Sequence, residues 1–252
     1  MSSFKMNKHT PKKKWGQNFL IDSNTINKII SSIDFTKNDR LIEIGPGKGA
    51  ITNKLGQNAK SLIAVEIDSN LSNSLKKNCN KNVQIINEDF MKIHLENFDA
   101  NIIVGNLPYY ITTPILFKIF ESKLKWERAY FLMQKEVAER IVSKPNNKTY
   151  GRLSVMCQIF STPKVLFNVS PNVFRPVPKV DSCFVEFTKN NKYKIIDYMR
   201  FKDIIRKIFN KRRKKLKNCI DEEMKLNIDI NSELLEKRPE NITIDEFIQL
   251  IN

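Results

Sequence analysis

An open, mostly parallel α/β sheet followed by a small all-helical C-terminal domain is the fold class that this sequence predicts. Three observations predict it. Apolar runs of strand length alternate with amphipathic segments from residue 41 to about residue 187, the pattern of a parallel sheet with helices on its faces. Three of the seven glycines, Gly45, Gly47 and Gly49, fall in one stretch directly after the first of these runs. Beyond a polar link at residues 188–192, the pattern turns wholly helical.

The elements follow in order. Ser23 reads as the N-cap of a first helix that carries Ile26, Ile29, Ile30 and Ile33 on one face. Strands are predicted over 41–44, 62–66, 83–86, 101–104 and 129–133, with helices over 49–55, 70–78, 114–120 and 135–143. Two further strands, 165–169 and 183–187, flank a proline-rich stretch at 171–178. Helices are expected over 201–220, 232–237 and 243–251, the last with Ile244, Phe247, Ile248 and Ile251 at helical spacing. The predicted domains are therefore 1–188 and 189–252.

A chain of 252 residues suffices for one sizeable α/β domain and a small appendage. Its 41% hydrophobic and 28% charged content is ordinary for a globular protein. No run approaches the roughly 18 apolar residues of a membrane span. The charged N-terminus lacks the apolar stretch of a secretory signal, so a cytoplasmic location is expected. Cys79, Cys157, Cys183 and Cys219 form no CxxC, and His9 and His94 are far from them in sequence. That argues for free thiols and against a metal or a disulfide.

A formal net charge of +16 points to a polyanionic partner. The chain is also heavy in Lys, Asn and Ile, whose codons are AT-rich, so base composition competes as an explanation. Placement favours nucleic acid. Lys12, Lys13 and Lys14 stand beside Trp15, and Lys211, Arg212 and Arg213 open a basic run on a predicted helix.

The segment Glu43-Ile-Gly-Pro-Gly-Lys-Gly-Ala50 follows a strand and opens a helix. Its glycines imply a tight turn or close approach to a ligand, as in Rossmann-like folds. Gly45-x-Gly47-x-x-Ala50 also satisfies a dinucleotide fingerprint, and Glu66 is the acid expected about twenty residues on for ribose hydroxyls in either case. Three features favour S-adenosylmethionine over NAD. Glu43 can approach a cationic methionine end, Asp89 can meet the exocyclic amine of adenine with Phe90 beside it, and NAD leaves the next motif unexplained.

That motif is Asn106-Leu107-Pro108-Tyr109, at the end of the fourth strand, where ligands bind in open α/β sheets. An amino nitrogen on an adenine ring is a poor nucleophile because its lone pair is delocalised. Accepting both N6 hydrogens, through the Asn106 side-chain oxygen and the Leu107 carbonyl, pulls the nitrogen towards tetrahedral geometry. Pro108 fixes the turn and Tyr109 offers a ring for the base to stack on. A base inside a helix must first be extruded, at a cost of a few kcal/mol that stacking partly offsets. Leu107 in place of a second proline is expected to leave room for a first methyl.

With these residues in place, the chain resembles the ribosomal RNA adenine dimethyltransferases, and among them the bacterial KsgA type. The likeness covers nearly the whole chain. It rests on Lys14-Trp-Gly-Gln-Asn-Phe-Leu20, Gln134-Lys-Glu-Val-Ala-Glu-Arg140, Tyr150-Gly-Arg-Leu-Ser154, Val173-Phe-Arg-Pro-Val-Pro-Lys-Val-Asp-Ser182 and Phe209-Asn-Lys-Arg-Arg-Lys-Lys215. The resemblance implies a Rossmann-like S-adenosylmethionine-dependent methyltransferase whose cofactor site is lined by Asn18, Leu20, Gly45, Glu66, Asp89 and Asn106; Glu43, Gly47, Ile67 and Phe90, beside these in the chain, complete the expected cofactor-binding set. It implies Asn106 and Tyr109 as holders of the target base. Phe174 stands where the family's second aromatic closes on the adenine, a core phenylalanine being the alternative. The implied substrate is a pair of adjacent adenosines in the 3′-terminal hairpin loop of small-subunit rRNA, each taking two methyl groups; separately, a monomer is expected. Departures are mild: Trp15 stands where the family usually has Phe, and the tail looks short.

Three alternatives keep the fold. A macrolide-resistance methyltransferase acts on large-subunit rRNA, an assembly factor binds RNA without catalysis, and a DNA adenine methyltransferase takes duplex DNA. Phe174-Arg-Pro-Val-Pro speaks against the first and the intact cofactor positions against the second.

Overall fold

The computed structural model describes residues 10–12, 15–221, 224, 226–227, 229 and 232–252. The chain divides into two compact units. One runs through Lys135 and takes in Leu166–Glu186; the other comprises Glu136–Val165 and Phe187–Asn252.

In the first unit β1 (Phe19–Leu20) leads into α1 (Ser23–Ser32), whose N-cap is Asp22, one residue earlier than expected. The Asp22 carboxylate accepts the Thr25 amide at 2.7 Å and its hydroxyl at 2.6 Å, satisfying a donor that the helix leaves open. The sheet then builds from β2 (Arg40–Ile44), α2 (Thr52–Asn58), β3 (Ser61–Val65), α3 (Ser69–Asn78), β4 (Val83–Ile86), β5 (Ile102–Asn106), α4 (Thr112–Phe120) and β6 (Arg128–Gln134). β2 pairs in parallel with β3 and with β5, β3 with β4, and β5 with β6. Such strands have both faces covered, and Leu41, Ile42, Leu62, Ile102, Ile103, Ala129 and Phe131 are buried accordingly.

Strand order is β4-β3-β2-β5-β6-β9-β7, with β7 (Ser161–Val169) and β9 (Ser182–Lys189) completing the sheet. Succession reverses between β2 and β5. A crevice must open beyond the carboxyl ends of those two strands, since their connections leave in opposite directions. The structure adds a two-stranded antiparallel pair that the sequence pattern did not show: β1 with β8 (Phe174–Arg175), in which Leu20 sits opposite Phe174.

The second unit holds α5 (Lys135–Val142) beyond its first residue, α6 (Arg152–Gln158), α7 (Tyr198–Asn210) and α8 (Ile244–Ile251). Its aromatic core links Tyr150 to Phe209 (centroids 6.2 Å), Phe209 to Phe247 (5.8 Å) and Phe160 to Tyr198 (5.4 Å). These contacts explain why residues 136–165 group with the tail, contrary to the boundary expected at 188. The Phe201–Ile220 helix is shorter than expected, ending at Asn210, and 232–237 forms only a 3-10 turn at Glu233–Glu236. α8 begins with a capping box, Thr243 and Glu246 each bonding the other's backbone amide. All four cysteines are free thiols. Among the described residues no helix is long and apolar enough to cross a membrane, and no cluster of side chains could hold a metal ion.

Candidate active site

The crevice at the β2/β5 switch point is a cavity of about 140 Å³. That is roughly ten times what one water needs, so it takes a multi-atom ligand. From β2 the backbone passes through Gly45 (φ 64°), Gly47 (φ 57°) and Gly49 (φ 79°), left-handed conformations that favour glycine. A Cβ on Gly47 would stand 3.1 Å from the Phe19 ring, so the N-terminal strand closes directly on this loop. Glu66 fixes the loop from the other side. Its carboxylate accepts the Gly47 amide at 2.9 Å and the Asp68 amide at 2.8 Å.

Glu43, on β2, is 1% exposed, and among the described residues no hydrogen bond reaches its Oε2. Burial pushes its carboxyl up to about 8; the nearby Thr52 hydroxyl opposes this and the charge of Glu66 adds to it. A buried carboxylate with an open oxygen wants a cationic donor. Also on the cavity lining, Ile67 is 39% exposed, Phe90 is buried, and Asp89 accepts the Met91 amide at 2.9 Å. Asn18, Leu20, Glu43, Gly45, Gly47, Glu66, Ile67, Asp89, Phe90 and Asn106 all line this one cavity.

Asn106 ends β5. Its side-chain amide donates to the Asn18 carbonyl at 3.0 Å, and Asn18 is held in turn by its own amide on the Gly16 carbonyl at 3.3 Å. One of the two Asn106 amide hydrogens is thereby used, and the bond fixes the amide with Nδ2 towards Asn18. Leu107 has its side chain buried and its amide on the Leu132 carbonyl at 2.9 Å, a bond that a proline could not make. Leu107 also lines the cavity. The Pro108 carbonyl accepts from the Ile111 amide at 3.1 Å and the Thr112 hydroxyl at 3.0 Å, closing the turn. Tyr109 is half-buried, with its hydroxyl 2.7 Å from that of Ser182.

Phe174 differs from the role the resemblance suggested. Its ring is 1% exposed, lies in the core with Leu20, Val169 and Phe184, and does not line the cavity. Pairing of β8 with β1 turns it inward. The basic run also differs, because α7 stops before it. Arg212 binds Glu240 at 2.7–2.8 Å and the Lys148 carbonyl, which makes it part of the second unit's framework. Lys211 and Arg213 are exposed. Lys12 pairs with Asp68 at 3.1 Å and covers the Trp15 ring at 4.5 Å, while Lys13 and Lys14 lie outside the described residues.

Sequence reasoning did not single out Tyr110 or Ser182. Tyr110 lines the cavity, is 61% exposed and packs on Gly16, where a Cβ would meet its ring at 3.2 Å. The only signal for it was its place next to Tyr109. Ser182 closes the proline-rich motif, but its partner lies 73 residues away.

The residues fit S-adenosylmethionine: an open buried carboxylate, a glycine cradle, and an exposed isoleucine with an aspartate. The chain matches the family model for "Ribosomal RNA adenine dimethylase" over residues 8–252. A "Ribosomal RNA small subunit methyltransferase A" of Mesoplasma florum is 39% identical, covering 96% of this chain and 97% of the relative. The crystal structure of a dimethyladenosine transferase from Plasmodium falciparum is similar with a TM-score of 0.81 and 25% identity, covering 91% of this chain and 94% of that one. That of a 23S rRNA methyltransferase, ErmE, shares the fold with a TM-score of 0.69 and 22% identity, covering 93% and 99%.

Proposed function

Because the chain belongs to the ribosomal RNA adenine dimethylase family, we propose that it dimethylates N6 of two adjacent adenosines in the 3′-terminal hairpin loop of small-subunit rRNA. It is an rRNA adenine methyltransferase with a Rossmann-like fold, and its methyl donor is S-adenosylmethionine. The observation that supports the proposed chemistry is the Asn106–Asn18 hydrogen bond, which holds the Asn106 amide with its nitrogen towards Asn18.

Bound S-adenosylmethionine supplies an electrophilic methyl group on a sulfonium centre. Glu43 and the glycine loop would hold its methionine end, Glu66 the ribose, and Ile67, Asp89 and Phe90 the adenine. Asn106 Oδ1 and the Leu107 carbonyl accept the N6 hydrogens of the extruded target base. Those two hydrogen bonds hold the hydrogens out of the ring plane and free the nitrogen lone pair to react. Tyr109 stacks on the ring, and its electron-rich face meets the positive charge that alkylation places on the base before a proton leaves. No general base is needed, because N6 becomes acidic once alkylated. For the second transfer, one hydrogen remains to be accepted.

The catalytic groups all belong to the first unit, and Lys211 and Arg213 of the second are proposed phosphate contacts. The enzyme is proposed to act as a metal-free monomer in the cytoplasm, on rRNA or an immature small subunit. Reverse-transcription mapping of both rRNAs after incubation with the protein tests the substrate. Stops confined to the small-subunit hairpin are expected, and stops in large-subunit rRNA would favour the macrolide-resistance type.

A further inference from the structure

Ser182 is the first residue of β9, is wholly buried, and takes part in no step described above. Its hydroxyl meets that of Tyr109 at 2.7 Å. Tyr109 is thus fixed at both ends. The Pro108 turn, closed by Ile111 and Thr112, sets its backbone, and the hydrogen bond to Ser182 sets the far edge of its ring. Burial raises the phenol above its usual range while the Ser182 hydrogen bond opposes this, so Tyr109 stays neutral in this contact.

A flat ring stacks on a base only when the two planes lie parallel and face each other. A tyrosine held at its backbone alone can still turn about its side-chain torsions. We infer that Ser182 is a positioning residue for methyl transfer, its hydroxyl keeping the Tyr109 side chain from swinging about its first torsion and so holding the ring where the target adenine stacks. This rests on the reading of Tyr109 as the platform for the base. The demand is greatest at the second transfer. Monomethylated N6 offers one hydrogen to Asn106 or Leu107 instead of two, so orientation falls more heavily on the stack. Loss of the tether should therefore slow the second methylation more than the first.

The test compares Ser182→Ala, Tyr109→Phe, the double variant and Tyr109→Ala as full-length proteins on unmodified small subunits. Readouts are kcat, KM, the ratio of mono- to dimethyladenosine, and S-adenosylmethionine affinity by calorimetry. Ser182→Ala and Tyr109→Phe should each lower kcat about tenfold, the effect of one lost hydrogen bond. Both should raise the monomethylated share, leave cofactor affinity unchanged, and combine to no more than either alone. Losses that multiply in the double variant, or wild-type product ratios in both singles, would overturn the inference. Should Ser182→Ala not fold, Tyr109→Phe decides alone on the same readouts. Full activity in Tyr109→Ala would instead remove Tyr109 as the platform. Inactivity there, with wild-type behaviour in the two tether variants, sinks only the role of Ser182.

Discussion

The side-chain amide of Asn106 donates to the backbone carbonyl of Asn18 across 88 residues of sequence. This bond ties the N-terminal strand segment to the end of β5 and fixes the orientation of the Asn106 amide. Closure of the same segment on Gly47 means that the cofactor loop and the acceptor are set by one short stretch of chain.

Phe174 should behave as a core residue. Phe174→Ala removes a ring that is 1% exposed, so stability should fall by about 3–5 kcal/mol in thermal or chemical denaturation. RNA affinity measured below the transition should change little. Unchanged stability with lost RNA affinity would return Phe174 to the target base.

The ligand-free protein should lose stability as pH rises through neutrality. Glu43 has its carboxyl raised from 4.5 to about 8, so in that window the folded chain holds a proton that the unfolded chain has released. Its contribution is complete below pH 4.5 and is lost as pH climbs through about 8, at a slope near 1.4 kcal/mol per unit. Glu43→Gln should flatten that slope, raise Tm at pH 8–9 without ligand, and weaken S-adenosylmethionine binding in calorimetry. A slope that persists in the variant would assign it to another group.

The basic run should split by role. Lys211→Ala with Arg213→Ala should lower the slope of log affinity against log salt by about one per cation removed. Arg212→Ala should instead cost about 1 kcal/mol of stability, the partly exposed pair with Glu240 and the bond to the Lys148 carbonyl being screened by solvent. An Arg212 variant with full stability and a reduced salt slope would reverse that division.

Much of this was legible because it is local. Strand–glycine–helix patterning located the loop, and the position of Asn106-Leu107-Pro108-Tyr109 at the end of a strand placed it on the same cavity. What was not legible depends on pairing at long range. Phe174 follows a 3-10 turn in a proline-rich stretch, and nothing nearby says that β1, over 150 residues earlier, will turn it inward. Arg212 reads as one cation among five until Glu240 arrives beside it. Residues 136–165 look like a continuation of the sheet's helices, yet Tyr150 and Phe160 find their aromatic neighbours in the tail. At α1 the helix start shifted by one residue because Asp22 and Ser23 are both good caps, and the carboxylate reaches Thr25.

The most direct measurement is tritiated methyl transfer from S-adenosylmethionine to unmodified small subunits, comparing the wild-type protein with Asn106→Ala. The wild type should yield N6,N6-dimethyladenosine in small-subunit rRNA. Asn106→Ala should fall on the order of 10²–10³-fold, as when a positioned transition-state hydrogen-bonding group is removed elsewhere. Dimethyladenosine formed at the wild-type rate by Asn106→Ala would contradict the assignment of Asn106 as the acceptor that orients N6.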